Sequence, residues 1–447
     1  MPEEKAPSIP RLRRVIGLPH ATAMVVGTII GASIFVQPSE ITGQVPSLGG
    51  VLSVWLCAGL LTLIGALVCA ELAATFTESG GVYVYLREAF SPSLGFLWGW
   101  AMFWCMHSGI IAAISVVFAR YTAYFVPVGE VGIKAIAVAA ILLLSLINYV
   151  GVRHGSILQT LFTLGKVAAI LIIIALGLTL GSRLPEHFVA SSSATPASVG
   201  DFLTAMIAGL FAFGGWHMVT YSAEETVNPR ATIPRALLFG TLIVTACYIG
   251  MNTVYMYVLP FDTVANSTRV AADAADVLWG SGGGALMSAI VMFSTFGAVS
   301  GIVLVGPRVY YAMARDGLLF RWVAEIHGRY RTPHRAIVLQ ALWSSVLVAT
   351  GSYRVLFTRV IYTEWFFFAL MAIGLLVLRR KGKSRGKGSA LSSPVLPLIF
   401  VVASLAIVVN QIVSDPAESV VGLSLVLTGL PVYFLWTRNN YSREAEQ

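Results

Sequence analysis

The chain of 447 residues is 57% apolar and only 11% charged, where a water-soluble globular domain carries roughly 25% charged residues. That excludes a soluble enzyme or regulatory domain as the bulk of the protein. The net charge of +8 sits in loops where lipid headgroups and topology account for it, so no nucleic-acid partner is implied. The chain reads as an all-α polytopic protein whose first partner is the lipid bilayer.

Residues 1–16 are polar and predict a cytoplasmic tail. They are not a cleaved signal, because the apolar run that follows is too long and lacks a small-residue cleavage site. Runs able to cross about 30 Å of hydrocarbon as helix follow near 17–44, 50–76, 93–126, 131–151, 156–181, 201–223, 235–259, 284–311, 335–351, 356–378, 395–413 and 419–437. They predict twelve spans. Most of the 29 Lys and Arg residues fall in alternate loops, among them Arg87, Arg153, Arg230, Arg315 and Arg379 to Lys387. Basic residues stay on the cytoplasmic side during insertion, so both termini, including the tail 438–447, are expected there.

The loops are mostly short and predict one helical bundle. Segment 76–92 holds Glu78-Ser79-Gly80-Gly81 and is too amphipathic to span, which suits it to the inner interface. Segment 314–333 is basic and partly amphipathic, and the Ser-rich 191–198 reads as a flexible outer loop. Cys57, Cys69, Cys105 and Cys247 lie within apolar runs. They predict packing residues rather than disulfides or a metal site, and no cofactor is implied.

Two runs are interrupted by glycines. The first holds Gly27-Thr28-Ile29-Ile30-Gly31-Ala32-Ser33, and the sixth holds Gly209-Leu210-Phe211-Ala212-Phe213-Gly214-Gly215-Trp216. Each glycine costs a helix about 1 kcal/mol relative to alanine, and one reading is a small-residue packing groove. The glycines stand at matching places, however, if 17–181 and 200–379 are two five-helix units followed by peripheral helices in 395–437. An odd-numbered unit reverses its topology, as in the inverted repeats of many secondary transporters. Broken backbone at mid-membrane is tolerated only inside protein or beside a watery cavity.

Such breaks carry chemistry. A half-helix beginning near Ala32 offers N–H groups and the positive end of its dipole to a carboxylate. Freed carbonyls at Ile29, Phe211 and Gly214 can accept from an ammonium, so a zwitterion fits both ends. Phe211, Phe213 and Trp216 would wall the site or simply pack. Lys166 is expected to be the only ionisable side chain deep in a span, facing the bundle interior or snorkelling to an interface. It could exchange a proton or stand in for a bound cation. Glu71, Glu224 and Glu225 lie near cytoplasmic ends of spans and could pair with arginines in an inner gate, or be solvated. His107 and His217 are lone histidines in apolar surroundings, and His217 directly follows the sixth-span break.

The stretch from Val26 to Phe35 resembles the first-helix motif of the amino acid, polyamine and organocation (APC) transporter superfamily. Ser79-Gly80-Gly81-Val82-Tyr83, Gly209 to Trp216 with Glu224-Glu225-x-x-Asn228-Pro229, and Arg315-Asp316-Gly317 are similar to its later motifs, in order along the chain. The nearest branch is the L-type amino acid transporters and their bacterial relatives. The resemblance implies a LeuT-like fold, a 5+5 inverted repeat plus two peripheral helices, with a central amino acid site.

It further implies a substrate-binding set of Thr28, Ile29, Gly31, Ala32, Ser33, Phe211, Gly214, Gly215, Trp216, His217, Ser300 and Trp365, with Phe211 as gate. Lys166 matches a lysine that takes the place of sodium in sodium-independent members. Ser33 replaces a common glycine and His217 an asparagine frequent in animal relatives, which leaves selectivity open. Residues 127–130 lack the cysteine used by animal members, so no disulfide-linked heavy chain is expected. The implied function is sodium-independent amino acid transport across a bacterial inner membrane, by proton symport or exchange. Polyamine transport is the alternative within the superfamily, disfavoured by the lack of an evident acidic pocket residue; a sensor or channel is the alternative outside it. No His-Glu-x-x-His pair or activated nucleophile supports an intramembrane enzyme.

Overall fold

The structure is a computed structural model that describes residues 12–181, 197–280, 282–351, 353–384 and 393–445. Most of the N-terminal tail, most of the Ser-rich outer loop, most of the basic run after Lys383 and the last two residues lie outside the described residues.

All the regular structure among these residues is helical. Ten helices are long and apolar enough to cross a membrane, and the pair Leu18–Ile29 and Ser33–Gln44, bent by 45°, makes an eleventh span. The ninth of the twelve expected spans is the helix His334–Thr350, whose 17 residues fall short of the others, so eleven of the twelve are found among the described residues. The other spans are Leu48–Thr75, Pro92–Thr122, Glu130–Val150, Val152–Leu180, Val199–Glu225, Pro229–Val258, Gly283–Arg315, Tyr362–Arg380, Val395–Ser414 and Pro416–Thr437. Span positions thus follow the hydrophobic runs closely.

The faces of these helices sort by solvent. Leu164 is 63% exposed while Lys166, two residues on, is 1% exposed, because 100° per residue places them on opposite sides of one helix. Exposed Leu142, Leu143, Leu146, Leu161 and Leu171 would be a liability in water and are ordinary against acyl chains.

The inner half of span 1, Leu18–Ile29, packs against spans 5, 7 and 8 and against the inner half of span 6. It is therefore surrounded by protein. Span 11 lies outside, against spans 10, 2 and 6, and span 12 against spans 3 and 10. Two short helices that hydropathy did not announce, Phe261–Asn266 and Val270–Trp279, fill the outer connection between spans 7 and 8 and cover Ser33–Gln44. Neither carries an apolar run long enough to register as a span. Segment 76–92 folds as the short helix Val82–Ala89 with Gly80 and Gly81 before it, both at positive φ. Gly81 is obligatory, since a Cβ there would stand 2.2 Å from Thr220 Oγ1.

Local signals explain how span 6 begins and breaks. Ser198 and Asp201 form a capping box at its start, with Asp201 N donating to Ser198 Oγ at 3.1 Å and Ser198 N donating to Asp201 Oδ2 at 2.8 Å. The α-helix ends at Ala212, and Gly215 adopts φ +94 before a 3-10 helix, Trp216–Glu225. A Cβ on Gly215 would approach Thr28 Cβ at 3.2 Å and Thr28 O at 3.3 Å. The two broken spans meet at that point.

Gly215→Ala should therefore lower stability by about 1–3 kcal/mol, through the left-handed backbone and the crowding at Thr28. Gly43→Ala, in a helix with nothing within 4 Å of the added methyl, should leave stability unchanged or slightly raised. Melting of the purified variants, followed by intrinsic fluorescence, checks the contrast.

Candidate functional site

The first break begins at Ile30, where ψ swings to 95° after the last helical bond, Ile30 N to Val26 O at 2.9 Å. The helix resumes at Ser33. Among the described residues no backbone carbonyl or side chain accepts from the N–H groups of Gly31, Ala32 or Ser33. Three donors at a helix N-terminus are thereby left facing inward, as a carboxylate requires. Ala32 and Ser33 are 4% and 9% exposed, so this cradle is nearly closed to the outside.

The carbonyls are less free than the sequence suggests. Ile29 O accepts from Tyr248 Oη at 3.1 Å, and the same hydroxyl stands 2.8 Å from Ala212 O. Phe211 O accepts from Gly214 N at 2.9 Å. Gly214 remains the one of the three expected acceptors whose carbonyl has no bond of this kind. Tyr248, from span 7, thus bridges both breaks. Thr28 bridges them a second time, its Oγ1 lying 2.7 Å from Met24 O and 3.2 Å from Gly215 O.

Lys166 supplies the third tie. Its Nζ donates to Gly27 O at 3.0 Å, Ile30 O at 2.6 Å and Ser294 O at 3.1 Å. An ammonium has three N–H donors, and all three are used. A cation in a low-dielectric interior is otherwise costly, so the broken carbonyls and the lysine stabilise each other. The lysine does not snorkel. Ser294 also donates from Oγ to Gly31 O at 3.1 Å, so span 8 holds the break from two atoms of one residue.

The structure brings most of the sequence-derived set together. Thr28 and Gly215 are in contact, and Gly301 packs against Thr28, where a Cβ would stand 2.8 Å from its Cγ2. Ser300, beside it, is buried with its hydroxyl unpartnered. Phe211 is half-buried, as an accessible wall would be. Trp216 and His217 are buried, with their rings 5.1 Å and 4.7 Å from that of Phe368. Trp365 stands one ring farther out, 5.7 Å from Phe368 and 5.8 Å from Phe400 of span 11.

On the inner side all three gate candidates are in ion pairs. Glu225 and Arg308 are fully buried, with Nε to Oε2 at 2.8 Å and Nη2 to Oε1 at 3.0 Å. Glu224 meets Arg315 at 2.5 Å and accepts from Ser79 N at 3.3 Å. Glu71 receives Arg379 at 3.0 Å and 2.5 Å, which ties span 2 to span 10. Around them Tyr83 donates to Asp316 at 2.6 Å, and Arg87 pairs with both Glu78 and Asp316. Val15 N and Ile16 N donate to Glu225 O, and Val227 N donates to Ile16 O. The inner ends of spans 1 and 6 are stitched to each other and to the loop after span 2.

Several buried polar residues escaped the sequence reading, which named Lys166 alone of the span 5 set. Gln159, Thr163 and Lys166 line one buried face of span 5, and a Cβ at Gly27 would stand 2.1 Å from Gln159 Nε2 and 2.2 Å from Thr163 Oγ1. Their i, i+4, i+7 spacing in an apolar helix was the available signal. Ser294 and Tyr248 carried none, being single polar atoms in apolar runs. Lys166 is not the only ionisable group buried within the bundle. Arg308 and Glu225 are buried as a pair, and Glu364 in span 10 is 5% exposed with Oε1 unpartnered.

Removing Arg308 strands a buried carboxylate, so Arg308→Ala should cost about 3–5 kcal/mol and reduce the yield of monodisperse protein. Arg315→Ala, whose guanidinium is 36% exposed, should cost about 1 kcal/mol or less. Thermal melts in one detergent compare the two.

A family model described as amino acid permease matches residues 16–436. The human b(0,+)-type amino acid transporter 1 is 32% identical over 98% of this chain and 91% of its own length. The serine/threonine exchanger SteT of Bacillus subtilis (strain 168) is 32% identical over 95% of this chain and 97% of its own. The mouse large neutral amino acids transporter small subunit 2 is 31% identical over 95% of this chain and 81% of its own. These relatives are named transporters and not enzymes, and the two facing helix breaks with their inward donors are what such a role demands of a membrane bundle. The chain belongs to the amino acid permease family, within the APC superfamily of membrane transporters.

Proposed function

We propose that this protein is a sodium-independent secondary transporter that moves amino acids by alternating access around the junction of spans 1 and 6. The observation that carries the reading is the Lys166 ammonium held by three carbonyl oxygens at the first break. Converging carbonyls of this kind are a cation site, and a covalently attached cation fills it. No dissolved sodium ion is then needed to hold the break in shape.

The substrate's carboxylate takes the N–H groups of Gly31, Ala32 and Ser33, and its ammonium takes the Gly214 carbonyl. Phe211 covers the site from one side. Residues 17–181 and 200–379 act as inverted repeats, and the pairs at Glu71, Glu224 and Glu225 act as an inner gate that opens to release substrate. Exchange is the better supported coupling mode, since a relative matching 95% of this chain is named an exchanger. Proton symport is the second mode, and Lys166 is the group able to support it by releasing a proton. The positive-inside pattern supports a bacterial inner membrane with both termini cytoplasmic. The lack of cysteine in residues 127–130 supports operation without a disulfide-linked heavy chain.

In proteoliposomes, uptake of labelled amino acids should be saturable, unaffected when choline replaces sodium, and stimulated by internal amino acid. Failure of every amino acid tested under all ionic and pH gradients rejects the reading. Lys166→Ala should lower uptake roughly tenfold or more, the equivalent of about 1.4 kcal/mol. At Gly31 an added methyl meets only Ala298 Cβ at 3.5 Å and Ile114 Cδ1 at 3.9 Å, so Gly31→Ala should melt normally yet take up substrate more weakly. Normal uptake by that variant would remove Gly31 from the site.

A further inference from the structure

Glu364 lies on the face of span 10 that carries Phe367 and Phe368, at i+3 and i+4. That face is buried against spans 3 and 6. Phe367 meets Trp98 edge to face at 5.3 Å, and Phe368 lies 5.9 Å from Trp98, 5.1 Å from Trp216 and 4.7 Å from His217. Glu364 is within electrostatic range of Tyr221 on the inner half of span 6.

The polar atoms here are unsatisfied together. Glu364 Oε1, both ring nitrogens of His217 and the Tyr221 hydroxyl have no hydrogen-bond partner among the described residues, and Glu364 is in none of the ion pairs. One such buried group costs roughly 1–3 kcal/mol. A shared deficit a few residues past Gly214 and Gly215 points to a missing ligand group. Lys166 cannot serve, because its three donors are engaged elsewhere. A carboxylate without a counter-charge, on a helix face it shares with Phe367 and Phe368, suits a compact cation on an apolar stem, which gains the ion pair and aromatic surface for the stem.

We propose that Glu364, with His217 and the surrounding rings, is the side-chain subsite of the transporter and selects amino acids bearing a second positive charge, an ammonium or guanidinium at the end of the side chain. The assignment rests on the central-site reading above, which supplies the α-carboxylate and α-ammonium contacts. Glu364 is then a specificity-determining residue.

The test compares labelled L-lysine and L-leucine uptake by wild type and Glu364→Gln in proteoliposomes, with thermal melts to establish that the variant is folded. Wild type should take up lysine, and excess lysine should compete with leucine. Glu364→Gln should lose lysine uptake by roughly thirtyfold or more, as for a truncated buried charge pair, while keeping leucine uptake within a few-fold; Glu364→Asp should recover part of the lysine uptake. The proposal is overturned if wild type carries leucine but neither carries nor is inhibited by lysine, or if Glu364→Gln lowers both substrates equally. It is equally overturned if lysine is not carried and the variant loses only the pH dependence of leucine uptake, which would make Glu364 a proton carrier. Absence of uptake of any amino acid by wild type would instead reject the transporter reading beneath it. If Glu364→Gln does not fold, stabilisation of wild type by lysine but not by norleucine in a thermal melt supports the subsite, and the reverse overturns it.

Discussion

A helix broken at the middle of a bilayer exposes carbonyls that no water can reach, and here the Lys166 ammonium answers that need. It draws Gly27 and Ile30 of span 1 and Ser294 of span 8 onto one atom of span 5. Three spans are thus fixed around a single charge. The energetics are mutual, because the same carbonyls that would be costly if unpaired replace the hydration the lysine gave up. Once the inner half of span 1 is held in this way, its donors at Gly31 to Ser33 can stay unpaired and available without the backbone collapsing back into continuous helix.

The two breaks are not independent. Thr28 and Tyr248 each touch both, and Gly215 is placed where only a glycine allows the second break to lie against the first. At Gly215 the left-handed backbone and the close approach to Thr28 both require glycine. The inner side is built on a different principle, since it uses charge: a fully buried bidentate pair between Glu225 and Arg308, surrounded by partly exposed pairs at Glu224, Glu78 and Asp316. Exposed pairs of that kind contribute little stability each.

The membrane spans, both helix breaks and Lys166 were legible in the sequence, because each is a departure from a uniform apolar background. Glycine pairs and a lone lysine stand out there. Carbonyl partners did not, as the hydroxyls that occupy Ile29 and Gly31 come from Tyr248 and Ser294, residues whose helical register had to be known to an atom. Glu364 went unremarked as a single acidic residue in the mostly apolar run 356–378; the chemistry beside it shows only once Phe368, Trp98 and His217 converge from three spans. The helices Phe261–Asn266 and Val270–Trp279 were missed because they are short and amphipathic, and a search for long apolar runs passes over them. The polar line Gln159, Thr163, Lys166 could have been found by spacing alone.

The backbone stitch between Ile16 and the Glu225 to Val227 segment has a mechanical consequence. It joins the Ile16 end of the first interrupted helix to the Glu225–Val227 end of the second, while Thr28 joins them again at the breaks. Fastened at two levels, the inner halves form one lever whose hinges are the short unwound stretches above it. A tilt of one half would therefore carry the other with it, without any further contact between them.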